Sequence, residues 1–378
     1  WAEELTLGQV IVVTVNYRLA ALGYYYDPEL GITGNFGLKD QIMSIDFVRY
    51  VIPQFGGDVE NITIFGQSAG GASVSALMAT PSTRGRFKNA IVISNPMTIP
   101  SRTTASAQGL IAPFRKNTGC ASRDCLDTLT IPALLAAQHE TEKDPLLVIY
   151  GPLNLFLPWT PLVGTPDDLL PKQPYQALVD GDVPHNINVI FGTTNMEGLM
   201  FIYEGYQNPV NKNTYIALLK LIFGDERANK VLERFPPLPG DEDDNRPTLV
   251  SIANEWIFEM VNNRASLATI AARTNKDDKY RVFNYRYTHV YSDPTIWDHL
   301  APLCGEKACH AAELPIIFGL GSLQRSSTYK FTCTNDEIRF SLELKKHLWN
   351  FFWTGNPNLG PSKAKDWRPY YSGKERMH

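Results

Sequence analysis

The sequence has no uninterrupted apolar run long enough to cross a bilayer. Its nearest approach, "YIALLKLIF" at 215–223, carries Lys220, and a spanning helix needs about 20 apolar residues. A basic excess is also missing. The 35 Lys and Arg are outnumbered by 39 Asp and Glu, net charge is −4, and no basic stripe appears, which excludes nucleic acid as a partner. There is no internal repeat, no low-complexity tract and no initiating methionine. Trp1 is followed by neither a charged nor an apolar leader, so the chain is expected to be part of a longer product.

Cysteine is scarce, five in 378 residues. Cys120 and Cys125 lie close together, as do Cys304 and Cys309, while Cys333 stands alone. Neither spacing suits a structural zinc site, so no metal is expected. The two close pairs predict small disulfide loops, Cys120–Cys125 and Cys304–Cys309, and with them a secreted or lumenal location. Reduced thiols in a cytoplasmic protein are the alternative.

What is present is an ordinary globular composition, 44% hydrophobic and 20% charged. The run "VIVVTV" at 10–15 predicts a strand buried on both faces of a parallel sheet. Apolar residues from Leu38 through Ile42, Ile45, Val48 and Val51 have helical spacing. Strands are expected at 62–65, 90–93, 188–192 and 280–287. Helices are expected after Ser68, near 126–138, over about 213–233 and 249–273, and over an amphipathic stretch at 335–353. Alternating strands and helices predict an α/β domain with a mostly parallel sheet, covering 1–378 as one unit. The proline-rich middle third is expected to cap the sheet, and the charge run at 236–247 to be a solvated loop.

One short stretch carries chemistry. "ITIFGQSAGGASVSAL" at 62–77 sets Ser68 between Gly66 and Gly70, at the corner between a strand and a helix. That is the pattern of a nucleophile elbow, which exposes a serine hydroxyl at the carboxyl end of a sheet. The N–H of the next residue, Ala69, then points to where an oxyanion forms. A serine nucleophile needs a base and an acid to orient it, in the order serine, acid, histidine. Among seven histidines, His310 lies on a predicted loop well downstream. Glu197 closely follows the strand at 188–192. Asp167 and Asp168 are weaker rivals, and Asp40 and Asp58 precede the serine.

The motifs "NYRLAALGY" (16–24), "GNFGLKDQ" (34–41), "FGGDVENITIFGQSAGG" (55–71), "NMEG" (195–198), "CHAAELPIIFG" (309–319) and "TGNPN" (354–358) stand in one order along the chain. In them the chain resembles the type-B carboxylesterases, which include the cholinesterases. The resemblance implies an α/β-hydrolase fold with Ser68 as nucleophile, Glu197 as acid and His310 as base. It implies hydrolysis of carboxylic esters through an acyl-enzyme, with a small-molecule ester as substrate and no cofactor. It also implies substrate contacts from Gln67, Met200 and Phe201. Cholinesterases carry a glutamate where Gln67 stands, so neutral Gln67 points to a general carboxylesterase, and "SNPMTIP" (94–100) is similar to microbial members. The family's oxyanion hole also uses an upstream glycine-rich loop, which this sequence lacks, and the family continues beyond residue 378. The loop is therefore expected from a complementing segment or a partner in a homo-oligomer. The alternative reading is a non-catalytic scaffold, storage or adhesion protein of the same fold. The sequon at Asn61 starts a strand and is expected to be mostly buried and unmodified.

Overall fold

β-branched and apolar runs make the four strands that organise the molecule: β1 (Thr63–Gln67), β2 (Asn89–Ile93), β3 (Asn188–Thr194) and β4 (Val282–Tyr287). The computed structural model describes residues 2–144, 153, 156–271, 281–319 and 331–370. All four strands are parallel, and their order in the sheet is their order in the chain. β2 and β3 are buried at every position, as expected of central parallel strands covered on both sides.

Among the helices are α1 (Phe36–Val51), α2 (Ala69–Ala79), α3 (Thr104–Thr118), α4 (Ile131–Glu142), α5 (Pro174–Asp180), α6 (Leu199–Gly205), α7 (Arg246–Ile252), α8 (Met260–Ala271), α9 (Leu314–Phe318) and α10 (Asn335–Thr354). A seven-residue π-helical turn, Ala253–Glu259, joins α7 to α8. The alternation of side chains along a strand divides the core in two. Ala90, Val92, Val189 and Phe191 face α1, α2, α5 and α8 through Leu38, Val74, Leu178 and Ala265. Ile91, Ile93, Ile190 and Phe283 face α9 and α10 through Ile316, Ile317, Leu348 and Phe351. This is the α/β-hydrolase arrangement, a parallel sheet with helices on both faces.

Residues 10–15 do not form the expected strand. No ladder partner reaches them among the described residues, and Ile11, Val13 and Val15 are 48%, 49% and 43% exposed. Val12 alone packs inward, in the cluster with Phe65. A β-branched run becomes a strand only where a neighbour supplies hydrogen bonds, and among the described residues β1 pairs on its β2 side only. The middle third holds more helix than its prolines suggest. α3 runs through Pro113, anchored by buried Ala107, Leu110 and Phe114, and the Phe114 ring meets Tyr25 at 4.4 Å. The region 213–233 divides into two helices, Lys212–Phe223 and Asp225–Arg234, at Gly224, whose φ of 75° suits glycine. The charged stretch before α7 is irregular and mostly exposed.

Candidate active site

β1 ends at Gln67 and α2 begins at Ala69, so Ser68 alone carries the reversal. Its φ of 59° and ψ of −121° are unfavourable for an L-residue, at a cost of about 1–3 kcal/mol. Two hydrogen bonds hold it: Ser68 N–H to the Ile93 carbonyl and Ala72 N–H to the Ser68 carbonyl, both 2.9 Å. A Cβ on Gly66 would lie 2.2 Å from the Gly70 backbone, and one on Gly71 would lie 2.6 Å from the Ile93 carbonyl oxygen. Those two glycines let helix and strand close up. Gly70, the second glycine of the pattern, faces open space. Ala69 opens α2, where first-turn N–H groups have no carbonyl within the helix to bond.

The loop after β3 brings in Glu197, the candidate acid. Thr194 N–H donates to Glu197 Oε1 at 2.6 Å, and Glu197 Oε2 meets His310 Nδ1 at 2.5 Å. Both side chains are buried, Glu197 to 1% and His310 to 5% residual exposure. Met196 N–H bonds the Ala308 carbonyl at 3.2 Å, tying the Glu197 loop to the His310 loop through a short parallel bridge between Met196 and Cys309. With the carboxylate accepting at Nδ1, the neutral imidazole turns a lone pair outward at Nε2. That lone pair faces Gln67, whose Nε2 lies 3.1 Å away. Among the described residues no hydrogen bond joins Ser68 Oγ to His310; the neighbouring Gln67 amide takes that place.

Sequence reasoning missed Glu313. It is fully buried beside the pair, accepting at Oε1 from Tyr285 OH at 3.2 Å and from Ser94 Oγ at 3.5 Å. Its Oε2 has no partner among the described residues. Burial, and then the negative Glu197, push its carboxyl up to about 8, so it keeps a proton at neutral pH. Its place three residues after His310 gives no signal of this, because burial of a glutamate cannot be read from spacing.

The rival carboxylates are engaged elsewhere. Asp40 pairs with Arg18 at 2.6 Å, Asp167 pairs with Lys39 at 2.7 Å, and Asp58 turns onto the Glu60 N–H at 2.8 Å. Asp168 sits in a turn at φ 48°. Of the expected substrate contacts, Phe201 stands edge-on to the His310 ring, with centroids 5.0 Å apart, whereas Met200 packs beside Leu199, Val250, Cys304 and Cys309. Asn61 is half-buried, and its Nδ2, the atom a glycan would need, donates to the Phe352 carbonyl at 3.0 Å.

Both expected disulfides are formed, and Cys333 is free and half-buried. Cys304–Cys309 ends at the residue before His310. Replacing both cysteines of that pair by serine is expected to cost about 2 kcal/mol of stability from loop closure. Hydrolysis should also slow roughly tenfold as the His310 loop loosens. Replacing Cys120 and Cys125 should cost similar stability and leave the rate unchanged. Thermal melts and ester turnover on the two double variants test the contrast.

A cavity of about 590 Å³ opens one helical turn beyond Ser68, lined by Ala72 and Ser75 of α2 and by Met97, Ile99, Tyr175 and Trp256. Its lysine, Lys172, is neutralised by Asp180 at 2.9 Å and by Asp182. The arrangement suits a neutral, apolar group placed near the serine. Among the described residues no helix is long and apolar enough to cross a membrane, and no cluster of side chains could hold a metal ion.

The chain is similar to the "Crystal protein" of Dictyostelium discoideum, 31% identical over 96% of this chain and 62% of that protein. The "cAMP-regulated D2 protein" of the same organism is 31% identical over 97% of this chain and 64% of that protein. The chain thus spans less than two thirds of the length of these two relatives. The para-nitrobenzyl esterase of Bacillus subtilis (strain 168) is 29% identical over 96% of this chain and 68% of that protein. A solved PNB esterase superposes with a TM-score of 0.76 at 27% identity, covering 97% of this chain and 70% of that one. The sequence pattern of the carboxylesterase family matches residues 2–378. The chain belongs to the carboxylesterase family.

Proposed function

We propose that this chain is a serine hydrolase that cleaves neutral carboxylic esters through an acyl-enzyme. The observation that carries the reading is the buried Glu197–His310 pair at 2.5 Å, set beside an elbow that holds Ser68 strained and partly exposed. His310 Nε2 takes the Ser68 proton as Oγ attacks the ester carbonyl. Glu197 holds the tautomer and stabilises the imidazolium that forms. The Ala69 N–H meets the oxyanion. His310 then protonates the departing alcohol, and water releases the acid by the same route. The apolar cavity beyond Ala72 takes the carbon chain of the ester, and Phe201 shields the base from water. The chemistry calls on no cofactor. Two formed disulfides favour an oxidising, secretory-pathway location.

A non-catalytic role on the same fold has one observation in its favour: Gln67, not Ser68, partners His310 Nε2. In the catalytic reading the Gln67 amide yields that position when substrate arrives. The test is labelling of the folded protein with a fluorophosphonate, followed by mass spectrometry of the Ser68 peptide. An adduct on Ser68 that Ser68→Ala abolishes is the expected result. Folded protein that hydrolyses no p-nitrophenyl ester and takes no label would overturn the catalytic reading in favour of the scaffold.

A further inference from the structure

The helical region from α7 to α8 is broken by the π-turn Ala253–Glu259. Such turns are rare, because the wider backbone ring loses packing along its axis, so one that persists is held by its surroundings. An extra residue also rotates everything after it by about 100°, one residue of a helix with 3.6 per turn. Here α7 buries Leu249 and Ile252 against the helices at 212–234, while α8 buries Val261 and Ala265 against the sheet. One unbroken amphipathic stripe would not serve both.

The side chains of the turn reach the active site from two directions. Asn254 Oδ1 accepts the Gly198 N–H at 2.6 Å, and its Nδ2 lies 3.5 Å from Met196 Sδ, so it grips the loop on both sides of Glu197. The fit there is close: a Cβ on Gly198 would lie 2.6 Å from the Ala253 Cβ and 3.3 Å from the Val250 carbonyl oxygen. Phe258, buried to 3% exposure, sets its ring 5.6 Å from the His310 ring. Phe201 meets the same imidazole at 5.0 Å.

We infer that this π-turn is a clamp that positions acid and base together, with Asn254 and Phe258 as positioning residues for Glu197 and His310. The assignment rests on the catalytic reading above for its consequence in rate, but not for its geometry. Asn254 fixes the backbone that aims the carboxylate. Phe258 limits the tilt of the imidazole, so that Nδ1 stays on Glu197 and Nε2 stays on the serine side. Neither residue touches the reacting atoms.

The experiment compares Asn254→Ala, Phe258→Ala and the conservative Phe258→Tyr with Val261→Ala. Val261 is a buried α8 residue in the sheet-facing core, so its loss is a matched destabilisation away from the site. For a short p-nitrophenyl ester, Asn254→Ala and Phe258→Ala are expected to lower kcat about 10- to 100-fold with KM within about threefold. Phe258→Tyr should recover most of the rate, and Val261→Ala should keep the wild-type kcat despite a lower Tm. Independently of activity, the His310 Nδ1 proton should give a far-downfield NMR signal in wild type and Val261→Ala, broadened or lost in the two clamp variants. Folded clamp variants that keep both kcat and this signal would overturn the inference, as would losses matched by Val261→Ala. Wild type that shows the signal, with clamp variants that lose it, but takes no fluorophosphonate on Ser68 would sink the catalytic reading and leave the clamp standing.

Discussion

Glu197→Gln is expected to lower kcat for ester hydrolysis by about 10³ to 10⁴ while leaving the fold intact. The size follows from which atom faces which. In the native site Thr194 N–H donates to Oε1 at 2.6 Å, and Oε2 accepts from His310 Nδ1 at 2.5 Å. A glutamine has one acceptor oxygen, and the buried Thr194 N–H claims it, because a donor left unpaired in the interior costs about 1–3 kcal/mol. The NH₂ is then turned onto His310 Nδ1, which must answer with a lone pair and carry its proton on Nε2. An imidazole in that tautomer cannot accept the serine proton, and no carboxylate remains to stabilise an imidazolium. The measurements are steady-state kinetics and the rate of fluorophosphonate labelling at Ser68, with circular dichroism to show that the fold persists. A loss below about tenfold would remove Glu197 from the role of acid.

The second large effect concerns stability. Glu313→Gln should make the protein more stable, by an amount that grows as pH rises. The carboxyl goes from about 4.5 when solvated to about 8 in the folded protein, mainly through burial and secondarily through Glu197. A carboxyl raised in this way stays protonated on folding while the unfolded chain ionises. Its contribution to stability is therefore full below about pH 4.5, declines as pH climbs towards 8, and is flat above that. Glutamine imitates the protonated acid in shape and does not ionise, so the difference between variant and wild type isolates this group. The gap should be near zero at pH 4 and on the order of 4 kcal/mol by pH 8. Urea unfolding at a series of pH values measures it. Parallel profiles for the two proteins would mean that Glu313 is ionised in the fold. Tyr285 OH and Ser94 Oγ, both within 3.5 Å of Oε1, accommodate either side chain, so hydrolysis near pH 7 should change little.

Much of the site was legible because its signals are local. The change from a β-favouring run to small helix-forming residues around Gly66 and Ser68 is a property of a dozen consecutive residues, and backbone sterics alone make that corner strained. Central strands could be read for a similar reason, since β2 and β3 are apolar throughout and meet neighbours on both edges. The expected strand at 10–15 failed because its sequence says only that it is able to pair, and pairing belongs to a neighbour. The helix through Pro113 was missed for the converse reason: local propensity opposes it, and the aromatic cluster of Phe114, Tyr25 and Trp159 outweighs that preference.

By itself, then, the sequence determined the four strands of the sheet, the elbow at Ser68, and candidates for acid and base in the right order along the chain. The tertiary structure alone decided which carboxylate meets His310, that Gln67 lies at its Nε2, that Glu313 is sealed beside it, and that Asn254 and Phe258 close over the pair. Periodicity and turn chemistry act between residues a few positions apart, and composition records them. Burial, electrostatic coupling and contact between residues more than a hundred positions apart exist only once the sheet has brought the strand ends together.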